Sequence, residues 1–247
     1  MLFRSIDRLG YGNSDRPNPL TLTFDVAGFV THQLVTALRA GSVGTQFEKV
    51  ILNGHSMGAL AAQSEASRFH DVDGLIVTGI GHNSTAAGPP PSLIDFYPAS
   101  LDPKFITNLS TVGYLTTLPG RRAHAFIGAG TIEPGMNAVE ETTMKDTLSP
   151  VELVSLILDT SNSSKLTFGI RAPVLYAQGQ YDATWCGGTG DCNSDPQAAK
   201  ESTYYSPGVS FSRVVIPKAG HSVNSSITAP QFYDATFSWL IAHDLGQ

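Results

Sequence analysis

Residues 50–63 read VILNGHSMGALAAQ, an apolar run that passes through a serine between two glycines into a run of small residues. The apolar run, bounded by a turn, reads as a buried strand, and MGALAAQ reads as the start of a helix. An open loop would hold a serine with less strain, so the position of Ser56 indicates that the tight turn itself is wanted. Outward from this point the same alternation recurs. The stretches 2–6 (LFRSI), 47–53 (FEKVILN), 72–80 (VDGLIVTGI), 172–179 (APVLYAQG) and 211–217 (FSRVVIP) predict strands. Between them, 26–40, 57–70 and 230–245 carry apolar positions at helical spacing. Strand alternating with helix predicts an α/β fold, a mostly parallel sheet with helices on both faces.

One segment breaks the rhythm. From about 84 to 165 the chain runs through GPPPSLIDFYP (88–98), a short helix expected near 104–118, the turn-rich GAGTIEPGMN (128–137) and a helix expected over 150–158. With no clear central strand, it reads as a mainly helical insertion covering a site, or as a small helical subdomain filling the end of the sheet. The expected division is therefore a core of 1–83 and 166–247 with a cap or lid of 84–165.

The totals bound the function. The 247 residues with 41% hydrophobic content suffice for one large domain or two small ones. No apolar stretch reaches the ~18–20 residues of a membrane helix. A net charge of −6, with Arg121-Arg122 the longest basic cluster, argues against a nucleic-acid partner. Cys186 and Cys192 flank a glycine-rich loop, CGGTGDC, that lets them meet as a disulfide; a reduced pair in a cytosolic protein reads the same. With no His or further Cys close by, zinc at this pair is a poor reading, and no metal or cofactor is expected. Sequons at Asn83, Asn108, Asn162 and Asn224, with the disulfide, lean weakly toward secretion, although MLFRSIDRLG shows neither the apolar region nor the cleavage site of a signal peptide; the cytoplasm is the alternative.

A bare G-x-S-x-G is weak in a chain with 24 glycines. Its context strengthens it, because a strand before and a helix after make a nucleophile elbow, with the serine exposed on a strained turn and the Met57 N–H placed to hold an oxyanion. A serine hydroxyl needs a base, and the base an orienting acid. Asp182 follows a predicted strand in QYDATW, and His221 follows another in KAGHSVN. Both fall where parallel sheets place their ligands. Asp191 and Asp195 are rivals for the acid in the same loop region. His55, His82, Phe96 and Tyr97 are candidate pocket residues, with Leu93 and Ile94 beside them; packing roles for both histidines, and a plain core face for the apolar residues, are the alternatives.

GHSMG (54–58), GQYD (179–182) and AGHS (219–222), in that order, resemble the α/β-hydrolase superfamily. IDRLGYGNSDRP (6–17) is similar to the loop that follows that family's fourth strand. The resemblance implies Ser56 as nucleophile, His221 as general base and acid, Asp182 as its orienting carboxylate, and 84–165 as the cap. It implies a cofactor-independent serine hydrolase acting on a small carboxylic ester, lactone or thioester. Elbows of this kind also resemble those of cofactor-free haloperoxidases and carbon–carbon hydrolases. The resemblance further implies three strands ahead of Ile6 and a second oxyanion N–H from the loop after the third, which this sequence does not display. Loss of one such donor costs ~10²–10³ in turnover. That departure motivates a second expectation, a weakly active or non-catalytic member that binds a small apolar molecule.

Overall fold

The computed structural model describes residues 2–82, 95–127, 131–161, 163–186 and 190–246. Among these, four parallel strands form the central sheet in the order β1 (Ile51–His55), β2 (Gly74–Thr78), β5 (Val174–Gly179), β6 (Phe211–Ile216). Register pairs His55 with Thr78, Thr78 with Ala177 and Ala177 with Val214, so the strands finish along one common edge.

Side-chain alternation sorts the sheet into two cores. Leu75 and Val77 of β2, with Val174 and Tyr176 of β5, pack against Leu60, Ala62 and Ala66 of α2 (Met57–Phe69). Ile76, Leu175, Ala177 and Ile216 point to the other face, against Phe232, Trp239 and Leu240 of α6 (Ala229–Ala242). Such period-two burial on both faces is why 72–80 and 172–179 read as near-continuous apolar runs. Helix α1 (Phe24–Ala40) is capped by Thr23, whose side chain accepts the Val26 N–H, ends at Gly41 in the left-handed region, and lies on α2.

Two expectations fail here. Residues 2–6 form no strand. LFRSI alternates too weakly for a strand, and Leu2, Phe3 and Ile6 are left exposed. The segment expected to be mainly helical also contains an antiparallel pair, β3 (Phe96–Pro98) with β4 (Leu115–Thr117), so a strand and a single 3-10 turn, Leu109–Thr111, occupy the range where a helix was expected. Among the described residues of that segment three helices occur, α3 (Arg122–Phe126), α4 (Met136–Thr142) and α5 (Pro150–Asp159). Helix α5 begins with a reciprocal Ser149/Glu152 capping box.

The loop after Ile6 is fastened to this segment by polar contacts. Arg8 Nη1 donates to Glu152 at 2.6 Å, Arg16 Nη2 to Asp146 at 3.1 Å, and Tyr114 Oη to the Pro17 carbonyl at 2.6 Å. Inside the segment, Lys145 and Asp102 form a buried ion pair at 2.6 Å, with Tyr97 Oη donating to the same carboxylate. The disulfide Cys186–Cys192 is present, both residues buried in the α2-side core. Sequons Asn83 and Asn162 lie outside the described residues; Asn108 and Asn224 are exposed.

The sheet core should dominate stability. Leu75→Ala, which empties a fully buried site on β2, is expected to cost about 3 kcal/mol, whereas Ile241→Ala on the exposed face of α6 changes stability by less than about 0.5 kcal/mol. Guanidinium unfolding of the two variants measures both.

Candidate active site

The strand-to-helix turn at Ser56 is as tight as its sequence implies. Ser56 sits at φ 52°, ψ −123°, a conformation that costs a non-glycine residue about 1–3 kcal/mol. Its N–H donates to the Thr78 carbonyl at 2.8 Å, which ties the turn to the end of β2. Gly54 is required by contact, since a Cβ there would lie 2.5 Å from Ala59 Cα. Gly58 is different: a Cβ there would meet nothing within 4 Å, and the residue borders an open cleft. Only the first glycine of the pair is thus imposed by the backbone.

Strand order brings the other two residues to the same edge. Asp182 follows β5, His221 follows β6, and both are buried. His221 Nε2 lies 3.0 Å from Ser56 Oγ, and His221 Nδ1 lies 3.1 and 3.2 Å from the two carboxylate oxygens of Asp182. An ionised carboxylate only accepts, so Nδ1 carries the proton and Nε2 is left to accept from the serine hydroxyl. Asp182 Oδ1 also accepts the Thr184 N–H at 3.1 Å, which fixes the carboxylate. The rivals are occupied elsewhere: Asp191 accepts from Asn193 N and Gln180 Nε2, and Asp195 accepts from Gln197 N and Ala198 N.

Met57 is the first residue of α2, where a backbone N–H has no intrahelical acceptor and the helix dipole favours negative charge. His221 is flanked by Phe126, with ring centroids 5.5 Å apart, and by His55 at 4.9 Å. The Ser222 N–H donates to the Phe126 carbonyl at 3.0 Å, which links the aromatic wall to the histidine loop. His55 Nδ1 pairs with Thr78 Oγ1 at 2.9 Å. Burial, and then the facing His221, push the His55 imidazole down to about 3.

The cleft over Ser56 has a volume of about 310 Å³. Of the candidate pocket residues, His55 and Phe96 line it, and Met57 lies beside them. His82 and Tyr97 do not. His82 is buried, its Nδ1 2.8 Å from Glu201 Oε1 and its ring stacked on Tyr204 at 4.2 Å, the packing alternative rather than a pocket wall. Tyr97 is held by its bond to Asp102. Leu93 and Ile94 lie outside the described residues. Sequence reasoning missed Phe126, Arg122 and Tyr11, which also face the cleft. Tyr11 sits inside the DRLGYG loop and could have been placed from it, whereas nothing local marks Arg122, whose guanidinium is paired with buried Glu140 at 2.8 Å.

Comparison with known proteins follows the same lines. No curated protein is matched. Among solved structures, a monoacylglycerol lipase from Paleococcus ferrophilus superposes with a TM-score of 0.62 at 18% identity, covering 95% of this chain and 81% of that one. A thermophilic esterase from Thermogutta terrifontis gives 0.61 at 19% identity, covering 96% and 78%. A bromoperoxidase from Bacillus anthracis gives 0.63 at 17% identity, covering 95% and 79%. At these identities the likeness is one of fold. The alpha/beta hydrolase family profile matches residues 3–235, nearly the whole length, and the chain belongs to that family.

Proposed function

We propose that the chain is a serine-dependent hydrolase that cleaves a small carboxylic ester, lactone or thioester through an acyl-enzyme. The observation that carries this reading is the single imidazole of His221 spanning Ser56 Oγ at 3.0 Å and the Asp182 carboxylate at 3.1 Å. Ser56 Oγ attacks the carbonyl carbon while its proton passes to His221 Nε2. The oxyanion forms against the Met57 N–H. When the tetrahedral intermediate collapses, the proton on Nε2 goes to the leaving oxygen or sulfur. Water then attacks the acyl-enzyme, gives its proton to His221, and the carboxylic acid departs as Ser56 regains its own. Asp182 stays ionised throughout, holding the Nδ1–H tautomer and stabilising the imidazolium.

Supporting features lie around the three residues. His55 cannot be protonated in the neutral range, so the imidazolium formed at His221 faces a neutral ring rather than a second cation. The cleft mixes Phe96, Phe126, Met144 and Leu148 with two arginines whose charges are met by buried glutamates, which suits an uncharged, modestly apolar acyl group. In this reading the segment 84–165 is the cap, since these four apolar residues all belong to it.

Two measurements test the reading. Ser56→Ala is expected to lower p-nitrophenyl butyrate hydrolysis by at least about 10⁴-fold and to abolish labelling by a fluorophosphonate probe. Folded wild-type protein that never labels at high probe concentration overturns it. The second concerns His55. Its folded value lies below the unfolded one near 6.5, so the unfolded chain binds the extra proton, and stability contributed by the neutral ring is lost as pH falls from about 6.5 toward 3. His55→Asn is expected to flatten that acid limb, read as the urea midpoint against pH.

A further inference from the structure

Helix α1 packs on α2 at unusually short range because Gly28 has no side chain: a Cβ there would lie 2.9 Å from the Glu65 N and from Ser64 Cβ. One turn further along α1, His32 is thereby brought over Glu65. The turn after α2 adds Asp71, whose backbone carbonyl accepts from Arg39 Nε and Nη2 at 3.0 and 2.7 Å. The His32 ring lies flat on Phe69, with centroids 3.8 Å apart and planes 8° apart, so its ring plane is fixed.

The three side chains converge, and the pairing of His32 with Asp71 leaves Glu65 unmet. His32 Nδ1 is 2.9 Å from Asp71 Oδ2 and 3.9 Å from Glu65 Oε1, and one donor atom from each residue lies within 4.8 Å of the others. Yet Asp71 Oδ1 and both oxygens of Glu65 accept no hydrogen bond. Glu65 is 0% exposed. A fully buried carboxylate with two unpartnered oxygens costs several kcal/mol unless something meets it. The nearby cation, Arg39, is engaged by Asp73 at 2.6 Å and by backbone carbonyls. One imidazole nitrogen and two carboxylates are the donor types of a divalent transition metal, and edges of about 3.0–3.4 Å, expected for bonds near 2.1 Å, fall within the observed span. His32 and Asp71 are partly exposed, with side chains 28% and 26% accessible, leaving an entry path from solvent.

We propose that His32, Glu65 and Asp71 form a zinc-class metal site that clamps α1 to the end of α2. Glu65 lies nine residues beyond Ser56 on the same helix, about 13 Å along its axis, so the site acts on stability and not on the reacting centre. Glu65→Gln keeps the size of the side chain and removes its charge, and the variant is expected to fold.

The test is calorimetric titration of chelator-stripped full-length protein with Zn²⁺, paired with thermal unfolding. Expected are one saturable site and a rise in Tm of about 5–10 °C at a hundredfold excess over Kd. Both are lost in Glu65→Gln and in His32→Gln, and both are kept in Ser56→Ala. Absence of saturable binding overturns the proposal. So does binding undiminished in Glu65→Gln, or an equal shift with Mg²⁺, which prefers six oxygen ligands. If Glu65→Gln does not fold, Asp71→Asn on the partly exposed ligand carries the same two outcomes.

Discussion

The fold is organised around the strained turn at Ser56. A serine at φ 52° is held there only because its surroundings over-determine it. Its N–H is anchored to Thr78, the backbone of Gly54 lies against Ala59, and α2 is fixed behind by Leu60, Ala61 and Ala66 in the larger core. Each constraint comes from a different part of the chain. Strain of about 1–3 kcal/mol is small against a core of this size, yet it aims one hydroxyl out of the sheet edge, where a relaxed helix start would have turned it inward.

Given that turn, parallel register does the remaining placement. Because β1 and β2 end level, and β5 and β6 end level two residues beyond them, the residues that follow all four are carried to one edge. Asp182 is three residues past β5 and His221 five past β6, and the difference is taken up by backbone bonds from Gln180 N to Ile216 O and Tyr181 N to Ala219 O that stitch the two turns together. The 3 Å geometry at His221 is therefore a property of the sheet more than of the loops, which explains how loop residues can be held so closely.

The same logic separates what was legible in the sequence from what was not. Strands 72–80 and 172–179 and the helices on either face could be read because burial on both sides of a sheet leaves continuous apolar runs, and the three candidate site residues were placed because each follows a stretch that reads as a strand. LFRSI misled because composition without a partner strand does not make a strand; its apolar side chains are exposed. His82 could not be told from a pocket residue, since its position after β2 is right, and only a glutamate 119 residues away, Glu201, draws it into packing. Arg122 and Phe126 escaped for the same reason in reverse: their neighbours in space are Glu140, Ser222 and His221, none of which their local sequence announces.

That difference has a physical basis in how the two parts cohere. The sheet is held by two large apolar cores, whose pattern is periodic and hence readable. Among the described residues between β2 and β5, Leu156 and Ile170 join the larger core, Ala99, Phe105 and Tyr114 form a small cluster with Leu22, and much of the rest is held by polar links such as Lys145 to Asp102, Arg8 to Glu152 and Thr147 Oγ1 to the Gly10 carbonyl. Polar links are directional and pairwise, so they leave no periodic trace, and a change in one need not disturb the rest. A wall built this way can alter the shape of the cleft while the scaffold under Ser56, Asp182 and His221 stays fixed. Substitutions at Phe96, Phe126 or Met144 therefore act on the cleft, and those at Leu75 or Leu175 act on whether there is a cleft at all.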